Sequence, residues 1–466
     1  MGQLARAARS SLARGSIRRR IAQRGNIQMQ QDLRALLVSY TFPPTGGAGI
    51  QRVLKLAKYL PSHSVTPSVL TALNPSVPLR DDSLGRDLDP SMTVLRARTL
   101  EPEYGVKAQT WRANSDQSRS FRTRIAHRLT SAARQVLVPD PQILWQPGAQ
   151  AMLARRLVGR DRDDVVFISG PPFSQFLLAP IVRLARGTAV VLDYRDEWST
   201  LRETYEMVSG GVSRRVGDAL ESRLLRLCHA VTTATEAFRS NLLTRFPFLR
   251  PERVFAIPNG YDPDDIPSAL PLPPRDRLTV TYAGTVFRLT SPTGLLEAVR
   301  RLHAETPELA RLLHLRFIGR IVETEQAALQ SVQALGVECV GYLPHDLMLK
   351  EVLNNHLLLC LLDEVPGAQH IYPAKVFELM ALGRPCLTLA PDGALADLVR
   401  DCRLGDLLPP RDAGRITAYL GRLLREFRDG RVPSQPPPVK IDRYNRKALA
   451  GEFAEVFRKA RGWAHG

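Results

Sequence analysis

Short apolar runs alternate with amphipathic stretches over most of the chain. The first group of runs is RALLVSY, TPSVLTA, DDVVFISG, TAVVLDYRD, HAVTTAT and RVFAIPNG. Within these runs the apolar residues are mostly continuous instead of alternating with polar ones, which is typical of parallel strands covered on both faces. The stretches between the runs have the spacing of helices with one apolar face. This order predicts a parallel β-sheet with helices packed on both sides.

A proline-rich stretch, YDPDDIPSALPLPPRDR, interrupts this rhythm after residue 260, and the rhythm then begins again. The second group of runs is LTVTYAGT, LRFIGR, VECVGYLP, HLLLCLLDE and PCLTLAP. We therefore predict an α/β protein with two doubly wound, Rossmann-like parallel-sheet domains that face a central cleft. The predicted domains are residues 31–260 and 276–440, joined by a linker at 261–275. In such sheets ligands bind beyond the carboxyl ends of the strands.

The composition agrees with two globular domains. The chain has 466 residues, of which 44% are hydrophobic, so each domain can bury a core. Lysine and arginine number 64 against 46 acidic residues, which gives a net charge of +18. This excess indicates an anionic partner, and nucleic acid, a phosphorylated ligand and an acidic membrane surface all qualify. Five scattered cysteines without C-x-x-C spacing indicate a reduced, cytoplasmic protein without structural zinc.

The N-terminal segment, residues 1–30, differs from the rest of the chain. It contains seven arginines and no acidic residue, and it lacks the apolar core of a secretory signal. We expect a basic, disordered segment; the alternatives are a transit peptide, a membrane-surface anchor and a leader ahead of a start at Met29. No apolar run reaches the roughly 18–20 residues that a membrane span requires.

Glycines follow the first predicted strand. The stretch FPPTGGAGIQRVLKLAKYL passes through Gly46, Gly47 and Gly49 into a helix. Glycines let the backbone approach a ligand closely, and a helix N-terminus presents free N–H groups to an anion. The spacing is neither the G-x-G-x-x-G dinucleotide pattern nor a P-loop with its lysine. By itself, therefore, the loop is a candidate for anion binding and also an ordinary strand-to-helix turn.

Charged residues lie where the predicted strand TAVVLDYRD ends. Asp193, Arg195 and Asp196 stand there, and a charge at a strand end is costly unless it is paired or used. A structural Arg–Asp pair and a contact with substrate both fit this position. SGPPFSQF, which contains Ser174, likewise leads from a strand into a helix. We assign Asp193, Arg195 and Ser174 to the acceptor side of the cleft.

Basic residues follow two predicted strands of the second domain, Arg288 after LTVTYAGT and Arg320 at the end of LRFIGR. The stretch YPAKVFELMALGRPCL adds Lys375 and Glu378 at the start of a helix. One interpretation is an exposed ion pair, worth about 0.2–0.5 kcal/mol. The other is that Lys375 binds a diphosphate together with the two arginines, while Glu378 accepts hydrogen bonds from both hydroxyls of a ribose.

The ordered set of motifs resembles the family 4 glycosyltransferases of the GT-B fold, over about residues 34–460. The motifs are FPPTGGAGIQRVLKLAKYL, VPDPQILWQPGA, SGPPFSQF, LDYRDEWS, IPNGYD, YAGT, GYLPHDLMLKEVLNNHLLL and PAKVFELMALGRPCL. The resemblance implies a second domain that binds a sugar nucleotide and a first domain that binds the acceptor. It implies that Glu378 binds the ribose, with Arg288 and Lys375 at the diphosphate.

The same resemblance implies roles for three further parts of the chain. The Gly46–Gly49 loop is expected to approach the donor phosphates or the acceptor, and a helix within 441–466 is expected to cross back onto the first domain. Many members of the family have a second glutamate eight residues before the one that binds ribose, and here His370 occupies that place. We expect His370 or the backbone to contact the donor sugar.

The family mostly retains anomeric configuration, and the leaving diphosphate is thought to take the acceptor proton. No dedicated base is then required, and Asp196 is the best candidate for orienting an acceptor. The DPDD stretch, Asp262–Asp265, superficially matches the D-x-D of metal-dependent glycosyltransferases of another fold, but it lies in the linker. Since no His/Cys cluster has zinc spacing, we expect no metal and no cofactor beyond the nucleotide-sugar substrate.

Two other classes of function remain open. A sugar-nucleotide epimerase of the same fold would need several acid–base groups near the sugar, and only His370 is evident. The second class is a non-enzymatic basic scaffold that binds nucleic acid or a membrane surface. For nucleic acid, neither a helix-turn-helix nor a zinc finger nor an aromatic stripe is evident, and only 6% of the residues are aromatic. SFRTRIAHRLTSAARQVLV combines an apolar face with several arginines, including Arg122 and Arg134, which is typical both of a membrane-surface helix and of an ordinary core-facing helix. We predict a cytoplasmic glycosyltransferase, peripheral on the inner face of the plasma membrane, that acts in cell-surface polysaccharide or glycolipid assembly. Its expected partners are a nucleotide-sugar donor and a saccharide or lipid-linked acceptor, without nucleic acid.

Overall fold

The computed structural model describes residues 32–77, 79–105, 138–159, 162–198, 211–267 and 270–466. The basic N-terminal segment, residues 1–30, lies outside these ranges, as does the basic amphipathic stretch with Arg122 and Arg134. The expectations for both segments therefore stay predictions.

The first domain is built on a sheet of seven described strands, all parallel, in the order β3-β2-β1-β4-β5-β6-β7. The strands are β1 (Leu33–Val38), β2 (Val65–Ala72), β3 (Val94–Ala97), β4 (Val165–Gly170), β5 (Ala189–Tyr194), β6 (Ala230–Thr233) and β7 (Val254–Ala256). This is the doubly wound order of a Rossmann-like sheet.

The second domain has six described parallel strands in the order β10-β9-β8-β11-β12-β13. They are β8 (Leu278–Ala283), β9 (Leu313–Ile318), β10 (Val337–Gly341), β11 (Leu357–Leu361), β12 (Cys386–Leu389) and β13 (Asp406–Leu408). The predicted fold class, two Rossmann-like parallel-sheet domains, is confirmed. The sequence pattern missed β3 and β13, which are edge strands with mostly half-exposed or exposed residues and therefore lack a continuous apolar run.

Thirteen described helices cover the two sheets, and none of them is long and apolar enough to cross a membrane. In the first domain they are α1 (Ala48–Tyr59), α2 (Gln146–Val158), α3 (Ala179–Leu184), α4 (Gly211–Leu225) and α5 (Glu236–Arg245). In the second domain they are α6 (Thr293–Glu305), α7 (Pro307–Ala310), α8 (Glu323–Gln330), α9 (His345–Leu353), α10 (Lys375–Ala381), α11 (Ala394–Cys402) and α12 (Ala413–Arg428). Helix α13 (Arg446–His465) follows the second domain.

The central strand β1 explains why its apolar run is continuous. Ala35 and Leu37 point into the core on one face of the sheet, whereas Leu36 and Val38 point into the core on the other face. All four side chains have no exposed surface, because helices cover both faces. The carboxyl ends of the strands are thereby left as the edge where polar loops can gather.

Helix α13 belongs to the core of the first domain although it follows the second in sequence. Phe453 and Phe457 pack against Phe167 of β4, each with ring centroids 5.5 Å apart. The chain thus passes between the domains twice, and the two passages touch: Tyr261 and Asn445 form a parallel bridge. This bridge and the aromatic contacts hold α13 against the first sheet.

Candidate functional site

The two candidate arginines of the second domain lie after adjacent strands. Arg288 begins a 3-10 turn, Arg288–Thr290, that follows β8, and Arg320 follows the neighbouring strand β9. Arg288 is exposed and Arg320 is half-buried. The Nη2 of Arg320 donates a hydrogen bond of 3.2 Å to the hydroxyl of Tyr104, which belongs to the first domain. Arg320 therefore reaches across the cleft.

Helix α10 begins at Lys375, and its first turn holds the two charges noted in the sequence. The Nζ of Lys375 lies 2.7 Å from Oε2 of Glu378, and the side chains are only 25% and 16% exposed. Val376 and Phe377, between them, are fully buried and fix the helix against the sheet. The Lys375–Glu378 pair is therefore a half-buried pair on a rigid element, not an ordinary surface pair.

The environment of Glu378 keeps its carboxyl group ionised. Burial by itself would raise the pKa of Glu378, but the cations around it, first Lys375 and then His345 and Arg446, together outweigh that effect. The pKa of Glu378 is lowered as a result. An ionised carboxylate in this setting accepts charge-assisted hydrogen bonds from hydroxyl groups.

The glycine loop lies at the interface with the second domain. Gly47 has a φ of 110°, a conformation that favours glycine, and it precedes α1 without a side-chain cap. A Cβ atom at Gly46 would overlap the hydroxyl of Tyr342 from the second domain. At Gly46, then, the missing side chain allows close packing between the domains, whereas Gly47 and Gly49 stand at the start of the helix.

Arg195 and Asp196 lie where β5 ends. The guanidinium of Arg195 donates to the backbone carbonyls of Gly49 and Pro171, so it ties the glycine loop to the neighbouring strand end. Asp196 is half-buried, and burial raises its pKa, although Arg195 and Arg52 oppose the shift. Asp196 thus keeps an accessible carboxyl group beside a fixed arginine.

The structure does not place Asp193 and Ser174 on the acceptor surface. Asp193 has no exposed surface; it accepts hydrogen bonds from Arg52 at 2.8 Å and from Ser169 and Thr232 at 2.7 Å. Ser174 is also fully buried, and its carbonyl accepts from Gln146 at 2.7 Å. Both residues support the first domain from inside. The structural pair anticipated for the strand end therefore exists, with Arg52 instead of Arg195 as its cation.

His370, in the second domain, contacts the first domain. Its ring is 29% exposed, and Nδ1 lies 3.8 Å from Oε2 of Glu197, a distance of ionic contact. The other oxygen of Glu197 accepts a hydrogen bond of 2.7 Å from Asn241 of α5. The carbonyl of His370 accepts from the hydroxyl of Thr235 at 3.0 Å. Sequence reasoning missed Glu197, although it directly follows Asp196 at the same strand end.

A second contact between the domains joins three residues that sequence reasoning also missed, and we call it the interdomain latch: Asp81, Tyr342 and His345. Oδ2 of Asp81 accepts hydrogen bonds from the backbone N–H of His345 at 2.9 Å and from the hydroxyl of Tyr342 at 3.3 Å. Burial would raise the pKa of Asp81, but the donors from Ser83 and His345 lower it. The latch brings the glycine loop and α9 together. No sequence pattern marks it, because it joins positions far apart in the chain.

The linker is folded onto the first domain. We call its three acidic side chains the linker carboxylates: Asp262, Asp264 and Asp265. Lys55 of α1, which is 1% exposed, contacts Asp262, lies 3.0 Å from Asp265 and lies 2.7 Å from Asp87. Lys58 lies 2.9 Å from Asp262 and 2.7 Å from Asp264. All three carboxylates of the DPDD stretch are therefore engaged in ion pairs with these lysines. No group of histidine, cysteine and acidic side chains in the described ranges has the arrangement of a metal site.

Two family models match the chain. One, described as a glycosyl transferase 4-like domain, matches residues 46–260, and the other, described as glycosyl transferases group 1, matches residues 277–426. The chain belongs to the GT-B glycosyltransferases of this family 4 and group 1 type. The resemblance noted in the sequence is confirmed. In this family assignment the Lys375–Glu378 pair falls in the group 1 region and the glycine loop in the 4-like region.

Two curated relatives match part of the chain. D-inositol 3-phosphate glycosyltransferase of Nocardioides sp. is 27% identical over 201 residues, which are 40% of this chain and 43% of that protein. MMP α-(1→4)-mannosyltransferase of Mycolicibacterium hassiacum is 25% identical over 251 residues, 52% of this chain and 56% of that protein. The match thus spans about half the length of each relative.

A solved structure confirms the fold over nearly the whole chain. Anabaena HepE, in complex with UDP and glucose, superposes with a TM-score of 0.54 at 14% identity, covering 92% of this chain and 98% of that chain. At this identity the likeness extends to the arrangement of the two domains and no further.

Proposed function

We propose that the protein is a glycosyltransferase that moves a sugar from a nucleoside-diphosphate donor to a saccharide or lipid-linked acceptor, in the assembly of cell-surface polysaccharide or glycolipid. The observation that carries the proposal is the half-buried Lys375–Glu378 pair, which lies on a rigid helix within the group 1 region. As an ion pair alone, it contributes little to stability. Because it is mostly removed from water, it fits a binding site better than a surface.

On the donor side, Glu378 accepts hydrogen bonds from the ribose hydroxyls. Lys375 binds the diphosphate together with Arg288 and Arg320, which follow adjacent strands of the same sheet. The UDP and glucose in the HepE structure support a nucleotide donor of this kind. The names of the two curated relatives, an inositol phosphate glycosyltransferase and a mannosyltransferase, support a polyol or saccharide acceptor.

Transfer proceeds with retention of the anomeric configuration, and the leaving diphosphate takes the proton of the acceptor hydroxyl. Asp196 orients the acceptor, for which its raised pKa and partial exposure suit it. His370 contacts the donor sugar while Glu197 lies beside its Nδ1. The protein therefore supplies positioning and charge stabilisation and needs no dedicated base.

The test is a thermal-shift screen of the whole chain against UDP, GDP, ADP, CDP and TDP, each beside its nucleoside. A bound ligand at 100 times its Kd stabilises the folded state by about 2.7 kcal/mol. We expect one nucleoside diphosphate to raise the melting temperature well above the shift produced by its nucleoside. If none of the five raises it, the proposed donor site is wrong.

Transfer activity is expected to survive EDTA. The carboxylates of the DPDD stretch already pair with Lys55 and Lys58, so they do not bridge donor phosphates through a metal ion. The measurement is sugar transfer with and without EDTA, with magnesium and manganese added back. Activity that is lost in EDTA and restored by either ion would contradict this prediction.

We also propose a cytoplasmic location at an anionic membrane surface. The net charge of +18 supports this partner, since each cation near an anionic surface contributes about 1 kcal/mol. We expect vesicles containing phosphatidylserine to sediment the protein at low salt and to release it as salt rises. Equal recovery with neutral phosphatidylcholine vesicles would remove the membrane from the proposal.

A further inference from the structure

Arg446 is a buried cation at the point where the chain returns to the first domain. It is the first residue of α13 and only 8% exposed. Its backbone N–H donates to the carbonyl of Tyr261 at 2.9 Å, and its Nη1 donates to the carbonyl of Gln51 at 3.1 Å. Gln51 lies in the first turn of α1, directly after the glycine loop. Arg446 therefore sits between the linker and the helix that opens from that loop.

The guanidinium of Arg446 makes few of the hydrogen bonds that it could donate. It carries five N–H donors, and within the described residues only the bond to Gln51 engages its side chain. No carboxylate among those residues lies within ion-pair distance of it. None of its nitrogens is among the buried polar atoms that lack a hydrogen-bond partner, so the remaining donors are not sealed from solvent.

The neighbouring buried arginine shows what a purely structural arginine looks like in this region. Arg52, 4% exposed, donates to Asp193 at 2.8 Å and to the carbonyls of Ile257 and Pro258 at 2.9 and 3.0 Å. Its charge is matched by a buried carboxylate. Arg446, by contrast, has no carboxylate within ion-pair distance among the described residues. Glu378, Asp262 and Asp265 act on it only from farther away, and burial lowers its pKa to about 10. An anion that reached Arg446 would relieve this cost.

The surroundings of Arg446 indicate which anion. Its charge acts on Glu378, so the two groups lie within electrostatic reach of each other. Lys375 lies 2.7 Å from Glu378, in the first turn of the same helix, α10. The glycine loop, with Gly47 and Gly49 at the start of α1, adjoins Gln51. Arg446 thus contacts α1 of the first domain just after the glycine loop and lies within electrostatic reach of the proposed ribose-binding residue.

We propose that Arg446 binds the diphosphate of the nucleotide donor, from the side opposite the second domain. This inference rests on the proposed function. The planar fork of a guanidinium matches two phosphate oxygens at once, which an ammonium does not. Because Arg446 belongs to α13, the ligand is then held by both domains and by the helix that joins them. The alternative role is structural: Arg446 only pins α13 to Gln51.

The experiment compares Arg446→Gln, Arg446→Lys and the wild-type chain by calorimetric titration with UDP, GDP and ADP and with uridine, guanosine and adenosine. For the diphosphate that binds the wild type most tightly, we expect Arg446→Gln to lower affinity at least tenfold. Arg446→Lys keeps the charge but loses the fork, and we expect an intermediate loss. Affinity for the matching nucleoside should change less than twofold in both variants. The exposed Arg443→Gln is the matched control and should bind like the wild type.

The outcomes separate the possibilities. If the wild type binds no diphosphate, the proposed function fails and the role of Arg446 fails with it. If the wild type binds and Arg446→Gln binds equally well, or loses diphosphate and nucleoside affinity by the same factor, Arg446 is only structural. A lower melting temperature of Arg446→Gln does not decide between the roles, so the ratio of the two affinities is the readout. Should Arg446→Gln fail to fold, the same ratio is read from Arg446→Lys.

Discussion

Replacing Lys55 with methionine is expected to lower the free energy of unfolding by about 3–5 kcal/mol. Lys55 is 1% exposed and contacts Asp87, Asp262 and Asp265. Without its ammonium group, Asp87 and Asp262 are left with Lys58, and Asp265 is left with Arg86 and His345. All three carboxylates lose the buried cation that they share, and a buried charge that loses its partner is costly. At this size of domain the melting temperature should fall by roughly 10 °C. Differential scanning calorimetry measures the effect.

Two further variants show whether charge is the cause. Lys350→Met removes an exposed lysine from α9 and should leave the melting temperature unchanged. Adding Asp265→Asn to Lys55→Met removes one of the stranded charges and should recover part of the loss, as a double-mutant cycle would show. If Lys55→Met melts at the same temperature as Lys350→Met, the cluster contributes nothing to stability.

Acid should weaken the same cluster. Burial would raise the pKa of Asp265, but His345 and Lys55 hold it below its usual range. Since the folded-state pKa lies below the unfolded value of about 4, the contribution is present in full above about pH 5 and is lost as the pH falls through the folded-state value. The melting temperatures of wild type and Asp265→Asn should therefore differ at pH 7 and converge in acid. A constant difference across this range would contradict the assignment.

Replacing Glu378 with glutamine is expected to lower nucleoside-diphosphate affinity tenfold or more. The change keeps size and helix propensity but replaces a charged acceptor with an amide. Charge-assisted hydrogen bonds contribute about 1.5–3 kcal/mol each, and two ribose hydroxyls are at stake. Because Lys375 lies 2.7 Å away, Glu378→Gln also leaves that lysine without its partner. Calorimetric titration measures affinity, and melting curves check the fold.

Lys375→Met distinguishes binding of the diphosphate from binding of the nucleoside. It removes the expected phosphate partner and should weaken diphosphate binding far more than nucleoside binding. Glu308 and Arg311 offer the matched control: they pair at 3.0 Å with the same spacing, but they are 82% and 71% exposed. Glu308→Gln should change neither affinity nor stability measurably. Wild-type affinity in both Glu378→Gln and Lys375→Met would show that the pair is not part of the donor site.

Most of the fold can be predicted from the apolar runs. TAVVLDYRD becomes β5 and LTVTYAGT becomes β8, because strands buried on both faces are mostly apolar. The edge strands β3 and β13 do not follow this rule, since one side of each meets solvent. The proximity of Lys375 and Glu378 also follows from helical spacing alone. Local patterns therefore predict local structure well.

The remaining parts of the candidate site depend on contacts between distant positions. The sequence placed Asp193 and Asp196 at one strand end, but only packing shows that Asp193 is buried against Arg52 whereas Asp196 stays partly exposed. Lys55 and Asp265 are separated by more than two hundred residues. Their pairing, and the contact of Gly46 with Tyr342, follows from how the domains meet. No periodicity carries that information.

The two passages of chain between the domains have a mechanical consequence. They lie side by side: Tyr261 donates to the carbonyl of Tyr444, and Arg446 donates back to the carbonyl of Tyr261, both at 2.9 Å. A domain joined by one connecting segment can rotate in any direction. Two connecting segments that are hydrogen-bonded to each other resist twisting and leave bending about a single axis. We therefore expect any opening of the cleft to follow one path, along which the donor and acceptor sides keep the same alignment.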